Sequence, residues 1–220
     1  MPVRPYDQNQ QFLLPPSLNE WVKENSSVRI FSDVVDQVDI RGFQEIKLEG
    51  RPRFDTRMML KTVLWGYANG VRASRKIGKR VETDIEYMWL AGLEKPDFRT
   101  INLFRKSNLE KLNYLFSQVI LLAKGLKLVR LGLIALDGTK VRANVSVESF
   151  KEKQDWEKEL QEIKAEVSQI LAEAEAADLA DDQRYGTDKR GDEIPKELEE
   201  LSERKRQIES LFTILKVIGE

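Results

Sequence analysis

The chain has 220 residues, no Cys and no His, and its side chains are 41% apolar and 33% charged. That length allows one or two domains, and the two missing residue types exclude a disulfide framework, thiolate or imidazole catalysis and imidazole metal ligands. A metal site would have to use carboxylate and other oxygens, which suits Mg²⁺ or Mn²⁺.

No apolar run approaches the ~18 residues needed to cross a bilayer. The N-terminus, MPVRPYDQNQ, lacks the apolar core of a signal peptide, so the expectation is a cytoplasmic protein with no membrane partner. The net charge of −1 hides an asymmetry: residues 1–40 carry −3, residues 41–145 carry +11 and residues 146–220 carry −9. A middle section this basic predicts a polyanion partner.

Residues 1–16 are polar and end in Pro15-Pro16, which reads as an extended arm. Ser17 is placed to cap a short helix through Leu18, Trp21 and Val22, with Glu20 closing a capping box. A second helix is predicted over about 28–38 from the near-helical spacing of Val28, Ile30, Phe31, Val34, Val35 and Val38. A basic connector, GRPRF (50–54), leads to Asp55, the expected N-cap of a helix over 56–69. Its wide apolar band (Met58, Met59, Leu60, Val63, Leu64, Tyr67 and Ala68) marks it as central to its domain.

Ser74 is predicted to cap a short helix over 75–81 that carries Arg75, Lys76, Lys79 and Arg80, with Arg72 just before it. Another short helix is predicted over 85–91 and stopped by Gly92. After the Pro96-Asp97 turn, a long amphipathic helix is predicted over 98–124, with a break near Ser107-Asn108. Arg99, Arg105 and Lys106 lie at its start. Short basic helices joined by tight turns suit a helix-turn-helix module, in which one helix enters the major groove and flanking cations hold phosphates. Basic residues on helix surfaces are often merely solvated, and spacing alone leaves that reading open.

The run LGLIALDGTKVRAN (131–144) carries five apolar residues into Asp137 and Gly138. It predicts a short buried strand that delivers one carboxylate, with Thr139 to Arg142 pairing back; a buried helix segment is the alternative. Beyond it, Trp156, Leu160, Ile163, Val167, Ile170, Ala174 and Ala177 repeat at alternating spacings of four and three. A polar break is expected over 178–191, and a matching run follows from Ile194 to Leu215. Two matched runs around a loop predict an antiparallel helical hairpin, with a dimerising coiled coil between chains as the alternative. Asp181-Asp182 and Asp192-Glu193 read as solvated charges of the intervening loop.

Several of these segments resemble one known family, the bacterial insertion-sequence transposases of the DDE class. Tyr6-Asp7-Gln8, FLLPPSLNEWV (12–22) and the segment around Val34-Val35-Asp36 are similar to their N-terminal segment. The run ASRKIGKRVETDIEYMWLAGLEKPDFRTINLFRKSNL (73–109) is similar to the most distinctive part of their helical domain. ALDGTKVRAN (135–144) resembles the strand that carries the first catalytic Asp of their ribonuclease-H-like domain. The resemblance covers residues 1–150 and implies binding of transposon-end DNA and phosphodiester cleavage with Mg²⁺ or Mn²⁺.

On this resemblance the expected fold is mainly α. It comprises a helical DNA-binding-type domain over 1–128, a short β-hairpin of an incomplete ribonuclease-H-like domain over 129–147 and a helical hairpin insertion over 148–220. The residues expected to contact DNA are Arg72, Arg75, Lys76, Lys79, Arg80, Arg99, Arg105 and Lys106. Asp137 would be the first acidic ligand of the catalytic metals. The second Asp and the Glu of the triad would follow the insertion, and no later acidic strand is present before Glu220. The expectation is therefore a truncated or split transposase that binds duplex DNA without stably holding the metals, with a second copy or a full-length transposase as protein partner. A DNA-binding regulator of transposition and a coiled-coil interaction protein are the competing readings.

Overall fold

Ser17 opens the first helix, α1 (Leu18–Trp21), by accepting the Asn19 N–H at 3.2 Å through its hydroxyl. In the computed structural model, residues 17–43, 53–125 and 153–193 are described, together with 200, 203–204, 206–208 and 210. The chain divides into two units, Met1–Asp181 and Asp182–Glu220.

In the first unit, α2 (Ser27–Asp36) buries Val28, Phe31, Val34 and Val35 along one face. Its C-terminal carbonyls lack intrahelical partners. Arg57 supplies them, with Nη1 donating to Val35 O at 2.7 Å and to Asp36 O at 3.1 Å. A cation at that end also opposes the negative pole of the helix. Arg57 belongs to α3 (Thr56–Ala68), which Asp55 caps by accepting the Met58 N–H at 2.9 Å, as expected from sequence. Nine of the 13 residues of α3 are buried. Such all-round burial makes it the central helix, and it packs on α2 and on three helices that follow it: α4 (Ser74–Thr83), α5 (Ile85–Ala91) and α6 (Phe98–Ser107).

Asp84 ends α4 and begins α5, so the two helices meet at a single residue. Its carboxylate accepts the Glu86 N–H at 3.1 Å. Gly92 closes α5 in the left-handed region, at φ 59°, where a glycine pays no Cβ penalty. The long helix predicted over 98–124 is two helices, α6 and α7 (Leu109–Gly125), broken at Asn108 as expected. The Asn108 amide donates to Phe104 O at 3.0 Å and holds the break.

The first of the two heptad runs forms α8 (Lys153–Tyr185). Ile163, Val167, Ile170, Leu171 and Ala174 are its buried stripe. They join the same apolar core as Leu60, Leu64, Ile77, Ile101, Phe104 and Phe116 of the preceding helices. A heptad pattern states that a helix has an apolar seam and leaves the partner of that seam open. Here the seam is buried on the helical domain. Burying five such side chains contributes on the order of 10 kcal/mol before ordering costs.

Two sequence expectations require correction. The polar break predicted from residue 178 begins later, because α8 continues through Tyr185. Asp178, 2% exposed, and Asp181-Asp182, expected as loop charges, are thus helical. Ser74 is the first residue of α4 and Ala73 is its N-cap, with no side chain to accept a hydrogen bond. Among the described residues the regular elements are all helices. The β-hairpin expected over 129–147, with Asp137, lies outside them, as does most of the second heptad run. No described helix is long and apolar enough to cross a membrane.

In the second unit, Gly186 follows the end of α8 and donates its N–H to Asp182 O at 2.9 Å. The Arg190 and Gly191 N–H groups donate to the Glu193 carboxylate at 2.6 and 2.9 Å. These backbone donors hold the Glu193 carboxyl below its usual value.

Candidate nucleic-acid interface

Of the eight cations expected to meet DNA, seven fall into two groups when placed on the fold, and Arg75 stands apart. The period of α4 sorts the first set. Arg75, Ile77, Gly78 and Val81 face inward. Lys76, Lys79 and Arg80 are exposed, three or four residues apart and therefore on one face. Arg99 is exposed in the first turn of α6. Arg80 pairs with Asp84 at 2.8 Å and Arg99 with Asp97 at 2.8 Å, both on the surface where such pairs contribute little.

α4 and α6 are in close backbone contact. A Cβ built on Gly78 would lie 3.6 Å from the Phe98 N and 3.7 Å from its Cα. One turn earlier on α4, the Arg75 guanidinium lies over the Phe98 ring, 4.3 Å from its centroid, and Arg75 is only 6% exposed. The aromatic face draws the cation inward. Arg75 therefore binds the two helices together, and its neighbours Lys76, Lys79 and Arg80 present the charge. Contacts of 3.6 Å are ordinary van der Waals distances, so Gly78→Ala should fit. Helix propensity favours Ala over Gly by ~1 kcal/mol, and a rise of that order in unfolding free energy is expected from denaturant titration. A loss above ~1 kcal/mol would show that α4 and α6 approach more tightly than these distances.

The second group is engaged by carboxylates of α8. Arg72 donates to Tyr67 O at 2.6 Å and to Glu173 at 3.2 Å. Arg105 is 1% exposed; its Nη2 donates to Asp178 at 2.9 Å and to Asn102 Oδ1 at 2.8 Å and forms an ion pair with Glu175 at 2.7 Å. Lys106, half-exposed, reaches Glu175 at 3.2 Å. Partial burial pushes the Glu175 carboxyl up, but the hydrogen bonds from Arg105 and Lys106 outweigh it and leave it below its usual value. A groove of about 870 Å³ between α7 and α8, lined by Lys106, Leu109, Tyr114, Lys164 and Glu175, gives Glu175 its access to solvent. Asp178 is sealed from it.

The residues that sequence reasoning missed are these carboxylates, Asp178 above all. A signal was present. Asp178 lies four residues after Ala174 and continues the register of the buried stripe, so a buried acid was legible there in principle. Its partners were not, because Arg105 is 73 residues away and Ser74 is 104 residues away.

As for metals, no group of three or more Asp, Glu, His or Cys side chains among the described residues could hold an ion. No curated protein and no solved structure matches the chain. Residues 16–107, which span α1 through α6 and so include every cation of the exposed group, match the family model described as Transposase domain (DUF772), and that match supports a transposase family.

Proposed function

We propose that this chain binds the duplex DNA of transposon ends, as the helical part of a bacterial insertion-sequence DDE transposase, and that α4 is the helix that meets the duplex. The observation that carries this reading is the face formed by Lys76, Lys79 and Arg80, with Arg99 on the helix packed against it, inside the segment similar to a transposase domain. An α-helix fits the major groove of B-DNA, about 12 Å wide, and cations beside it neutralise phosphates on the flanking strands. The exposed cations of α4 are interrupted by few acids, which suits a polyanion.

The DDE assignment gives Asp137 the role of first acidic ligand for Mg²⁺ or Mn²⁺. A two-metal site holds its cations roughly 3.5–4 Å apart and needs several carboxylates, which one aspartate does not supply. A second copy of the chain or another transposase protomer is the protein partner this reading calls for.

Fluorescence anisotropy with a labelled duplex tests the reading directly. If several phosphates are neutralised, affinity should fall steeply between about 50 and 200 mM salt. Absence of binding at the lower salt would dispose of the DNA-binding role.

A further inference from the structure

We infer that Asp178 is a positioning residue for DNA binding, a carboxylate on α8 that sets the orientation of α4 and so of the cations α4 presents. The inference rests on the reading of α4 as the DNA-facing helix. Its starting point is a missing cap. The first turn of any α-helix has N–H groups without intrahelical acceptors, and these are ordinarily met by a side chain at the N-cap. Ala73 cannot do this.

Asp178 does it from another helix. Its Oδ1 accepts the Ser74 N–H at 2.7 Å and its Oδ2 accepts the Ser74 hydroxyl at 2.7 Å. A carboxylate at this end also matches the positive pole of α4. The same Oδ2 accepts Arg105 Nη2 at 2.9 Å. Three donors from α4 and α6 therefore converge on one side chain of α8, and Ser74, Arg105 and Asp178 are each no more than 2% exposed.

The division of labour follows from the chemistry. The apolar stripe of α8 supplies most of the docking energy, but apolar contacts tolerate small rotations and slides. Hydrogen bonds within a buried site do not, since any slide of α4 leaves both buried Ser74 donors without their acceptor. The register of α4 is thus fixed relative to α6, which carries Arg99, by a residue that touches no DNA in the proposed complex. Docking of α8 and binding of DNA are then linked, and linkage is reciprocal. Loosening α8 weakens DNA binding, and DNA binding tightens α8.

Two measurements on the full chain decide it. The first compares the wild type with Asp178→Asn, which keeps the shape and loses the charge, using a mixed-sequence duplex at several salt concentrations well below both melting temperatures. The variant is expected to bind about tenfold more weakly, within the usual range for linked sites, and with a shallower salt slope, because mis-set cations neutralise fewer phosphates. A role in stability alone would lower the melting temperature and leave the affinity and slope of the folded protein unchanged. Tighter binding by the variant would mean that the carboxylate merely repels DNA, which also overturns the inference. The second is amide exchange in the wild type: duplex should slow exchange over residues 163–178 of α8. If Asp178→Asn does not fold, this measurement stands in its place, and unaltered exchange on binding overturns the inference. Failure of the wild type to bind duplex at all would instead overturn the reading of α4.

Discussion

Replacing Arg105 by Ala is expected to lower the unfolding free energy by about 3–5 kcal/mol, as breaking a buried ion pair from one side commonly does. The expectation follows from where the charge sits. Arg105 is 1% exposed and Asp178 2%, so neither group can recover water when its partner is lost. In the variant, Asp178 keeps only the two donors of Ser74, and Glu175 keeps Lys106. The informative control removes both charges, as Arg105→Met with Asp178→Leu. A buried pair exchanged for apolar side chains of similar volume is often neutral. Here recovery should be incomplete, because the Leu side chain cannot accept the Ser74 N–H; a residual cost of about 0.5–2 kcal/mol is the usual penalty for a lost cap. Urea titration of the two variants separates these terms. A single variant costing under ~1 kcal/mol would mean that the Arg105 site opens to solvent. The same result has a practical side: loss of DNA binding by an Arg105 variant would report a disturbed fold or α8 docking, not a lost phosphate contact.

Arg105 also marks where sequence legibility ends. Helices were readable because their signals are local. Asp55 and Asp84 are cap residues, Gly92 has the left-handed conformation that stops α5, and the apolar positions of α2, α3 and α7 recur at helical spacing. The break at Asn108 was legible for the same reason. Charge was equally readable, so Arg72, Arg105 and Lys106 entered the list of DNA-facing cations beside Lys76, Lys79, Arg80 and Arg99. Periodicity could not say which of them meet an acid from α8, because that acid lies 69 to 101 residues along the chain. The seam of α8 failed in the same way: its spacing was right and its neighbour was open. Local physics fixes the element; the identity of a long-range partner needs the packed fold.

The exposed group supports the opposite kind of variant. Changing Lys76, Lys79, Arg80 and Arg99 together to Ala should leave stability nearly unchanged, since surface substitutions usually fall within about ±0.5 kcal/mol each and the Arg80–Asp84 pair is an exposed i,i+4 contact. DNA binding should respond strongly. Each phosphate neutralised adds about 0.9 to the slope of log affinity against log salt, so loss of four contacts would flatten that slope by roughly 3–4. At ~100 mM salt this corresponds to a fall in affinity of roughly a hundredfold or more. The slope is the decisive quantity, because it counts contacts and is insensitive to the fraction of protein that is active. A slope unchanged by the fourfold substitution would place the duplex on another face of the domain. A slope that falls while the melting temperature holds would separate these four cations from Arg105: charge at the surface acting on a partner, against charge in the interior acting on the fold.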